Sequence, residues 1–371
     1  MRVAVVGCGH LGAIHARLLR EMPEADLRLV HDVDPARAQT LADALGVTAT
    51  TDLRAVIDGA DAVVVASPTS THAGVAGELL AARRHVLVEK PITTTVEEAR
   101  ALVAAAHASG CVLAVGHVER WNPAFRAARG RFGIPRFLEG HRLAPFVPRS
   151  LDVDVVLDLM IHDLDLALAV VGQPVEAIEA VGVPVLTPAE DIANARLRFR
   201  GGAVANLTAS RVSREKVRKL RAFSARRYIS VDFMEGRFEE VLLEAIPVDA
   251  MADAPVPAAM SPGSSGLGRV AGVGHSEDPA DETSGGGDPA ELVAALASRG
   301  LRLVQRAIPA PAGNALRDEL ADFLRQVRGE RHQYGGHGEG ASGEDGLACL
   351  EVALEVRRRV RESLPTLTRG L

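Results

Sequence analysis

Met1-Arg2-Val3-Ala4-Val5-Val6-Gly7-Cys8-Gly9-His10-Leu11-Gly12 opens the chain. Val3 to Val6 is a short, apolar, β-branched run, the composition of a strand buried on both faces. Gly7 to Gly12 follows it directly, and the stretch from His10 to Glu21 reads as a helix. In such a G-x-G-x-x-G turn each glycine has a reason. Gly7 permits the tight turn, Gly9 lets the backbone approach a pyrophosphate, and Gly12 lets helix and strand pack closely. The helix N-terminus, with the N–H groups around His10 and Leu11, offers partial positive charge to an anion.

Asp32 makes the pattern specific. It stands twenty residues beyond Gly12, at the end of the strand-like run Leu27 to His31. A carboxylate in that place hydrogen-bonds the ribose hydroxyls of an adenosine. It also repels a 2′-phosphate, and Asp32-Val33-Asp34-Pro35 holds no arginine to accept one. NAD is expected rather than NADP; the alternative is a glycine-rich turn in a fold that has lost its cofactor.

Outward from this turn the rhythm continues. Pro35 to Leu45 is helical, Ala62 to Ala66 and His85 to Val88 are buried-strand runs, Val96 to Ser109 is an Ala-rich helix, and Cys111 to Val115 is strand-like. Continuous apolar strands alternating with helices imply a parallel sheet covered on both faces. Residues 1–118 are therefore expected to form a doubly wound, Rossmann-type NAD-binding domain. From 119 to 371 the pattern changes. A helix from Val155 to Val171 stops at Gly172, with Pro174 just beyond. Strand candidates follow at Val175–Val181, Asn194–Phe199, Val204–Ala209, Leu220–Phe223 and Tyr228–Phe233, with Gly201-Gly202 as a hairpin turn. Consecutive strands predict an α+β domain with a large, mostly antiparallel sheet, serving substrate binding and oligomerisation. Residues from about 251 to 288, rich in Pro, Gly, Ser and Ala, read as a flexible insertion. A second Gly-rich loop runs from Gly329 to Gly346, bracketed by amphipathic helices near Ala315–Val327 and Gly346–Ser363.

Composition narrows the partners. A chain of 371 residues is comfortable for two domains, and 47% hydrophobic content is enough to give them cores. The net charge of −6 and the 3% aromatic content argue against a nucleic-acid partner. No run approaches the length of a membrane span, and with a strand opening the sequence at once no signal peptide is expected. Cys8, Cys111 and Cys349 show neither a disulfide framework nor a zinc spacing. A reduced, cytoplasmic setting is expected.

Several residues could carry chemistry. Glu89-Lys90-Pro91 ends a parallel strand, at the sheet edge where ligands bind in such folds. Lys90 there can hold a substrate hydroxyl and stabilise developing charge; an ordinary surface lysine is the alternative. Ser67-Pro68-Thr69-Ser70-Thr71-His72 caps the strand before it, and its hydroxyls serve either the nicotinamide ribose or the start of the next helix. Asp158, His162 and Asp165 share one face of an otherwise apolar helix. Asp158 is expected to orient His162 and raise its basicity, giving a base that titrates near neutrality. A buried structural hydrogen bond and half of a metal site are the alternatives, with His141 the one tempting further ligand; the base reading is preferred and no metal is expected. Gly116-His117-Val118-Glu119-Arg120-Trp121-Asn122-Pro123 marks the crossover between domains. Arg120, Asn122 and Asp165 are the substrate-side candidates, with a solvated hinge as the alternative for the first two. Arg211 to Arg227 holds eight basic residues and a single acid, Glu215. That run is a solvated sheet face by default, or a site for a diphosphate.

Gly7 to Gly12, Asp32, Glu89-Lys90-Pro91, Asp158-x-x-x-His162-x-x-Asp165 and Ser342-Gly343-Glu344-Asp345-Gly346 before a final helix together resemble the glucose-fructose oxidoreductase / inositol dehydrogenase (Gfo/Idh/MocA) family over most of the chain. The resemblance implies an NAD-dependent oxidoreductase with an open antiparallel sheet through which homo-oligomers, dimers or tetramers, assemble. It further implies that Lys90 and His162 carry the hydroxyl proton chemistry, supported by Asp158, while hydride passes to the nicotinamide. The stretches Gly116–Pro123 and Val156–Asp163 look like the subgroup that oxidises UDP-N-acetylglucosamine to a 3-keto sugar nucleotide, later aminated in lipid A synthesis. Inositol or a free sugar as substrate, or a non-catalytic dinucleotide-binding sensor, are the alternatives. Met160 stands where the family often has glycine, and the insertion at 251–288 is unusual for it.

Overall fold

A computed structural model of the chain describes residues 1–147, 154–246, 289–330 and 340–367. The apolar run at the N-terminus becomes β1 (Arg2–Val6), of which Val3, Ala4 and Val5 are completely buried. It lies in a sheet built from β2 (Asp26–His31), β3 (Thr48–Thr50), β4 (Ala62–Val65), β5 (His85–Glu89) and β6 (Leu113–Gly116). The helices between them are α1 (His10–Glu21), α2 (Pro35–Leu45), α3 (Leu53–Gly59), α4 (Thr69–Ala81) and α5 (Val96–Ser109). The strands run β6-β5-β4-β1-β2-β3 and pair in parallel. The order reverses between β1 and β4, which makes that gap the switch point where such sheets bind ligands.

The expected parallel half is thus present, with one extra short strand, β3, too brief to leave a pattern. The punctuation is local chemistry. Asp34 caps α2 by accepting from the N–H of Ala36, and Thr95 with Glu98 forms a capping box on α5.

Beyond β6 come a single 3-10 turn (Val118–Trp121), α6 (Pro123–Arg129) and β7 (Pro135–Leu143). A π-helical turn (Val156–Met160) then leads into α7 (Ile161–Val171). Strands β8 (Val175–Val183), β9 (Ile192–Phe199), β10 (Val204–Ser210), β11 (Val217–Ser224), β12 (Arg227–Asp232), β13 (Arg237–Ala245) and β14 (Leu301–Pro309) complete an eight-stranded sheet with β7. Its order is β14-β13-β12-β11-β7-β10-β9-β8; β7 pairs in parallel with β10 and antiparallel with β11. Gly201 and Gly202 make the expected hairpin, both with positive φ, +90° and +84°, which glycine adopts without strain.

β7 and β13 leave no clean alternation in the sequence. In β7 the inward set is Leu138, Gly140 and Arg142, so two of three core-facing positions are not large and apolar. A Cβ on Gly140 would lie 2.7 Å from Leu207 Cδ2 and 3.6 Å from the Asp163 side chain.

The chain then returns to the first sheet. Helix α9 (Ala315–Val327) buries Leu320, Phe323 and Leu324 against Val3, Val5 and Leu19. Ala341–Ser342 forms β15, antiparallel to β6. Helix α10 (Gly343–Leu367) puts Leu350 in the first sheet's core and Ala353, Val356 and Val360 in the second's. A division at residue 118 does not anticipate this return.

By compactness, residues 1–240 with 306–371 form one unit containing both cores, and 241–305 another. In the second, α8 (Pro289–Ala297) ends beside Gly300, whose carbonyl accepts from Ile246 (2.8 Å), and Arg302 pairs with Glu244 (2.8 Å). The insertion expected at 251–288, like residues 331–339 of the second Gly-rich loop, lies outside the described residues. Among the described residues no helix is long and apolar enough to cross a membrane.

A Cβ on Gly346 would strike Val115 of β6, so α10 lies against that strand only because this position is bare. Gly346→Leu should lower stability by about 1–3 kcal/mol through overpacking, read as an earlier urea midpoint. An unchanged midpoint would show that α10 is not seated there.

Candidate active site

The loops at the carboxyl ends of β1, β4 and β5 meet at the switch point. A Cβ on Gly7 would lie 2.6 Å from the backbone of Ala66 and Ser67, and one on Gly12 would strike the carbonyl oxygen of Gly7. Both glycines are therefore fixed by close packing. Gly9 differs: nothing lies within 4 Å of where its Cβ would be. Gly9 is also the N-cap of α1 and supplies no side-chain cap, so the first-turn N–H groups stay available to an anion. His10 and Leu11 are exposed there. Asp32 is held at the end of β2 by two backbone donors, Cys8 N–H at 2.7 Å and Asp34 N–H at 2.9 Å. Bare glycine, uncapped helix and fixed carboxylate together fit the pyrophosphate and adenosine ribose of a dinucleotide.

The neighbouring loops are tied to one another. The Ser67 and Thr71 hydroxyls lie 2.7 Å apart, and Thr71 donates to the Pro68 carbonyl at 2.8 Å. Pro68 is the N-cap of α4 and Thr69 its first residue. His72 is buried, with its ring nitrogens at 2.8 Å from the Ser67 carbonyl and 3.0 Å from that of Pro91, across the cis Lys90–Pro91 peptide. Glu89 is buried too: its Oε1 meets His15 Nε2 at 2.7 Å and its Oε2 accepts the Lys90 N–H at 3.2 Å. His72 and Glu89, which the sequence places in the cofactor-binding loops, thus hydrogen-bond the protein's own groups and fix the loop that carries Lys90.

Lys90 reaches across to the π-helical turn. Its Nζ donates to the Asp158 carbonyl at 2.9 Å and lies 3.9 Å from the Asp158 carboxylate. Burial pulls the Lys90 ammonium below its usual range, opposed by Asp158 and Glu89. His162 follows one turn later, and its Nδ1 is buried with no hydrogen-bond partner among the described residues. Asp158 therefore does not orient His162; its carboxylate is drawn to Lys90 instead. Burial, reinforced by the nearby cations Lys90 and Arg142, holds the imidazole well below its usual 6.5, so it does not titrate near neutrality but is already neutral at pH 7. His141 alternates to the opposite face of β7 from Gly140 and Arg142, so it cannot complete a metal set with Asp158 and His162.

Beneath these groups lie two buried ion pairs. Arg120 binds Asp165 through Nη2 at 2.7 Å and Nε at 2.8 Å, and reaches Asp345 at 3.1 Å. Arg142 binds Asp163 at 2.9 and 3.0 Å and Glu119 at 2.8 Å. Asp165 is only 1% exposed and Arg120 4%, so neither is a substrate contact, nor is the crossover a solvated hinge. Arg120 and His117 draw the Asp165 carboxyl below its usual range despite burial. Asn122 accepts from the Ala124 N–H at 3.0 Å as the cap of α6. His117, Asp165 and Cys349 form a buried trio of metal-ligand types, but Arg120 already takes both carboxylate oxygens.

Residues 1–117 match the family model described as an oxidoreductase family with an NAD-binding Rossmann fold, and residues 125–238 match the C-terminal domain of the same family. The chain belongs to the Gfo/Idh/MocA oxidoreductase family. It is 46% identical over 237 residues to a UDP-N-acetylglucosamine 3-dehydrogenase of Acidithiobacillus ferrooxidans, covering 64% of this chain and 75% of that one. A solved structure of the enzyme of that name from A. ferrooxidans superposes with a TM-score of 0.76 over 97% of each chain, at 35% identity. An inositol 2-dehydrogenase of Acidothermus cellulolyticus is 34% identical over 197 residues, 49% of this chain and 56% of its own length. This family member is an NAD-binding oxidoreductase, as the glycine turn and Asp32 predict.

Sequence reading missed Glu119, Arg142 and Asp163. A signal was present: the helix from Val155 to Val171 carries three aspartates and no lysine or arginine. Carboxylates in such apolar company require cations from elsewhere.

Arg120→Met should destabilise the fold by about 3–5 kcal/mol, because Asp165 would be left buried and unpaired. Calorimetric unfolding should show the Arg120→Met/Asp165→Asn double variant losing much less than the sum of the single losses; additive losses would deny the pair. Asp32→Ala should weaken NAD binding and admit some NADP, measured by cofactor titration. Unchanged preference would remove Asp32 from the ribose site.

Proposed function

We propose that this protein oxidises a secondary hydroxyl of a sugar nucleotide, UDP-N-acetylglucosamine to its 3-keto form, with Lys90 and His162 carrying the proton chemistry. The observation that supports this most is the bond from Lys90 Nζ to the Asp158 carbonyl, which brings the ammonium to the helix that presents a neutral imidazole one turn on. Bound NAD supplies the acceptor for the hydride. His162, uncharged at neutral pH, takes the hydroxyl proton. The Lys90 ammonium holds the same oxygen as negative charge develops on it, in a site where low dielectric strengthens the attraction. Asp158 acts on Lys90 rather than on His162, opposing the loss of its proton. The sugar-nucleotide reading draws on the 46% identical relative; the inositol dehydrogenase relative, at 34% over a shorter stretch, supports the second reading, inositol or a free sugar. A non-catalytic sensor would have no use for an ammonium and an imidazole placed together. The product would feed an amination step in lipid A synthesis, in the cytoplasm. Homo-oligomers would form through the open face of the second sheet, where Phe137, Phe223 and Tyr228 cluster and Val181 and Val183 are exposed.

NAD reduction screened against UDP-sugars, free sugars and inositols tests the substrate. Activity with UDP-N-acetylglucosamine alone is the expected result; activity with inositols instead would overturn it. The pH profile of kcat/KM tests the residue roles. The base must be neutral, so the acid limb should lie below 6.5; the ammonium must be charged, so the alkaline limb should lie below 10.5. Lys90→Ala should cost about 10²–10⁴-fold in turnover with NAD affinity retained. Asp158→Asn removes a group that raises the Lys90 pKa, so it should move the alkaline limb to lower pH and leave the acid limb in place. A shift of the acid limb would return Asp158 to His162.

A further inference from the structure

The basic run Arg211 to Arg227 is neither a uniform solvated face nor a uniform anion site, because strand alternation sorts its members. Arg211 is buried, with Nε on Asp191 at 2.9 Å, a carboxylate that also accepts the N–H groups of Val185, Leu186 and Thr187. Lys219 and Arg221 fall on the open face of the sheet, paired with Asp232 at 3.2 Å and Glu139 at 2.9 Å. Arg218 falls on the other face. On β11 it stands directly across from Arg142 of β7, so both side chains leave the sheet on the side of Asp163 and His162.

What separates these two arginines is how fully each is engaged. Arg142 is buried and its guanidinium is filled by Asp163 and Glu119. Arg218 is 40% exposed, makes one loose approach to Glu119 at 3.7 Å, and donates no hydrogen bond to any described residue. Glu119 is already bound by Arg142 at 2.8 Å, so it does not hold Arg218 strongly. The other cations beside the site are committed: Lys90 to Asp158, and Arg120 to Asp165 and Asp345. Arg218 also lies close enough to His162 to help depress its pKa. It is thus a fork of N–H donors, next to the proposed base, with its geometry set by a strand and no hydrogen bond made among the described residues.

We propose that Arg218 is a specificity-determining residue which binds the diphosphate of the sugar-nucleotide substrate while the sugar ring lies against His162 and Lys90. The inference rests on the sugar-nucleotide reading above. A guanidinium suits this task because its planar donors match phosphate oxygens two at a time. A free sugar or an inositol carries no anion for it.

The test uses the full chain with NAD and compares wild type, Arg218→Met and Arg218→Lys. With UDP-N-acetylglucosamine, Arg218→Met should raise KM about 10- to 100-fold with kcat changed only a few-fold, because the lost contact is equally strong in ground and transition states. The affinity for UDP itself, measured by calorimetry, should fall by a similar factor, and Arg218→Lys should recover part of both. NAD affinity should be the same in all three proteins, which also reports that the variants are folded. Equal UDP affinity and equal KM in wild type and Arg218→Met would overturn the assignment, as would a loss confined to kcat. A wild type that binds UDP through Arg218 yet oxidises no UDP-sugar would instead overturn the substrate reading alone. If Arg218→Met does not fold, unchanged UDP affinity in Arg218→Lys at raised ionic strength would overturn the assignment, since a diphosphate contact is screened by salt.

Discussion

Three aspartates on an apolar helix with no cation of its own fix how the two sheets share a site. Asp158, Asp163 and Asp165 find Lys90, Arg142 and Arg120. These cations come from the end of β5, from β7 and from the turn after β6. Leaving a buried carboxylate unpaired costs several kcal/mol, so the helix needs Arg142 and Arg120 beside the buried Asp163 and Asp165. That convergence puts an ammonium and an imidazole from separate parts of the chain beside each other. Two of the pairs are closed to solvent and act as scaffold. The third, Lys90 with Asp158, is looser and partly open to solvent. The helix is also wound more widely at Val156–Met160, over the carbonyl that receives Lys90, and such π turns recur at functional sites.

How much of this could be read beforehand depended on whether the signal was local. The glycine turn, Asp32 and the strand–helix rhythm of the first sheet involve neighbours in sequence, and the structure has them. Strand β7 was illegible because two of its inward positions are a glycine packed under Leu207 and a charged arginine, which break the two-residue alternation. Strand β15 is two residues long. The pairing of Asp158 was misread for a related reason: helical spacing shows which residues share a face but not which distant cation will meet them. Arg120 and Asp165 each looked like cleft residues when considered alone, yet their mutual bidentate contact seals both.

The family comparisons and the geometry answer different questions. The match to the oxidoreductase family accounts for the fold and the cofactor. The ion pairs account for why the crossover Gly116–Asn122 is so polar yet buried: its Glu119 and Arg120 are the counter-charges that α7 and β7 demand. Glu89, His15 and His72 play the same part under the Lys90 loop, which they anchor.

Helix α10 is a single rod that serves both layers, with Leu350 embedded in the core of one and Ala353, Val356 and Val360 in that of the other. A rod clamped at both ends behaves as a spacer gauge. Because Leu350 and Ala353 stand one turn apart, a substitution along this stretch is felt in the packing of both layers at once.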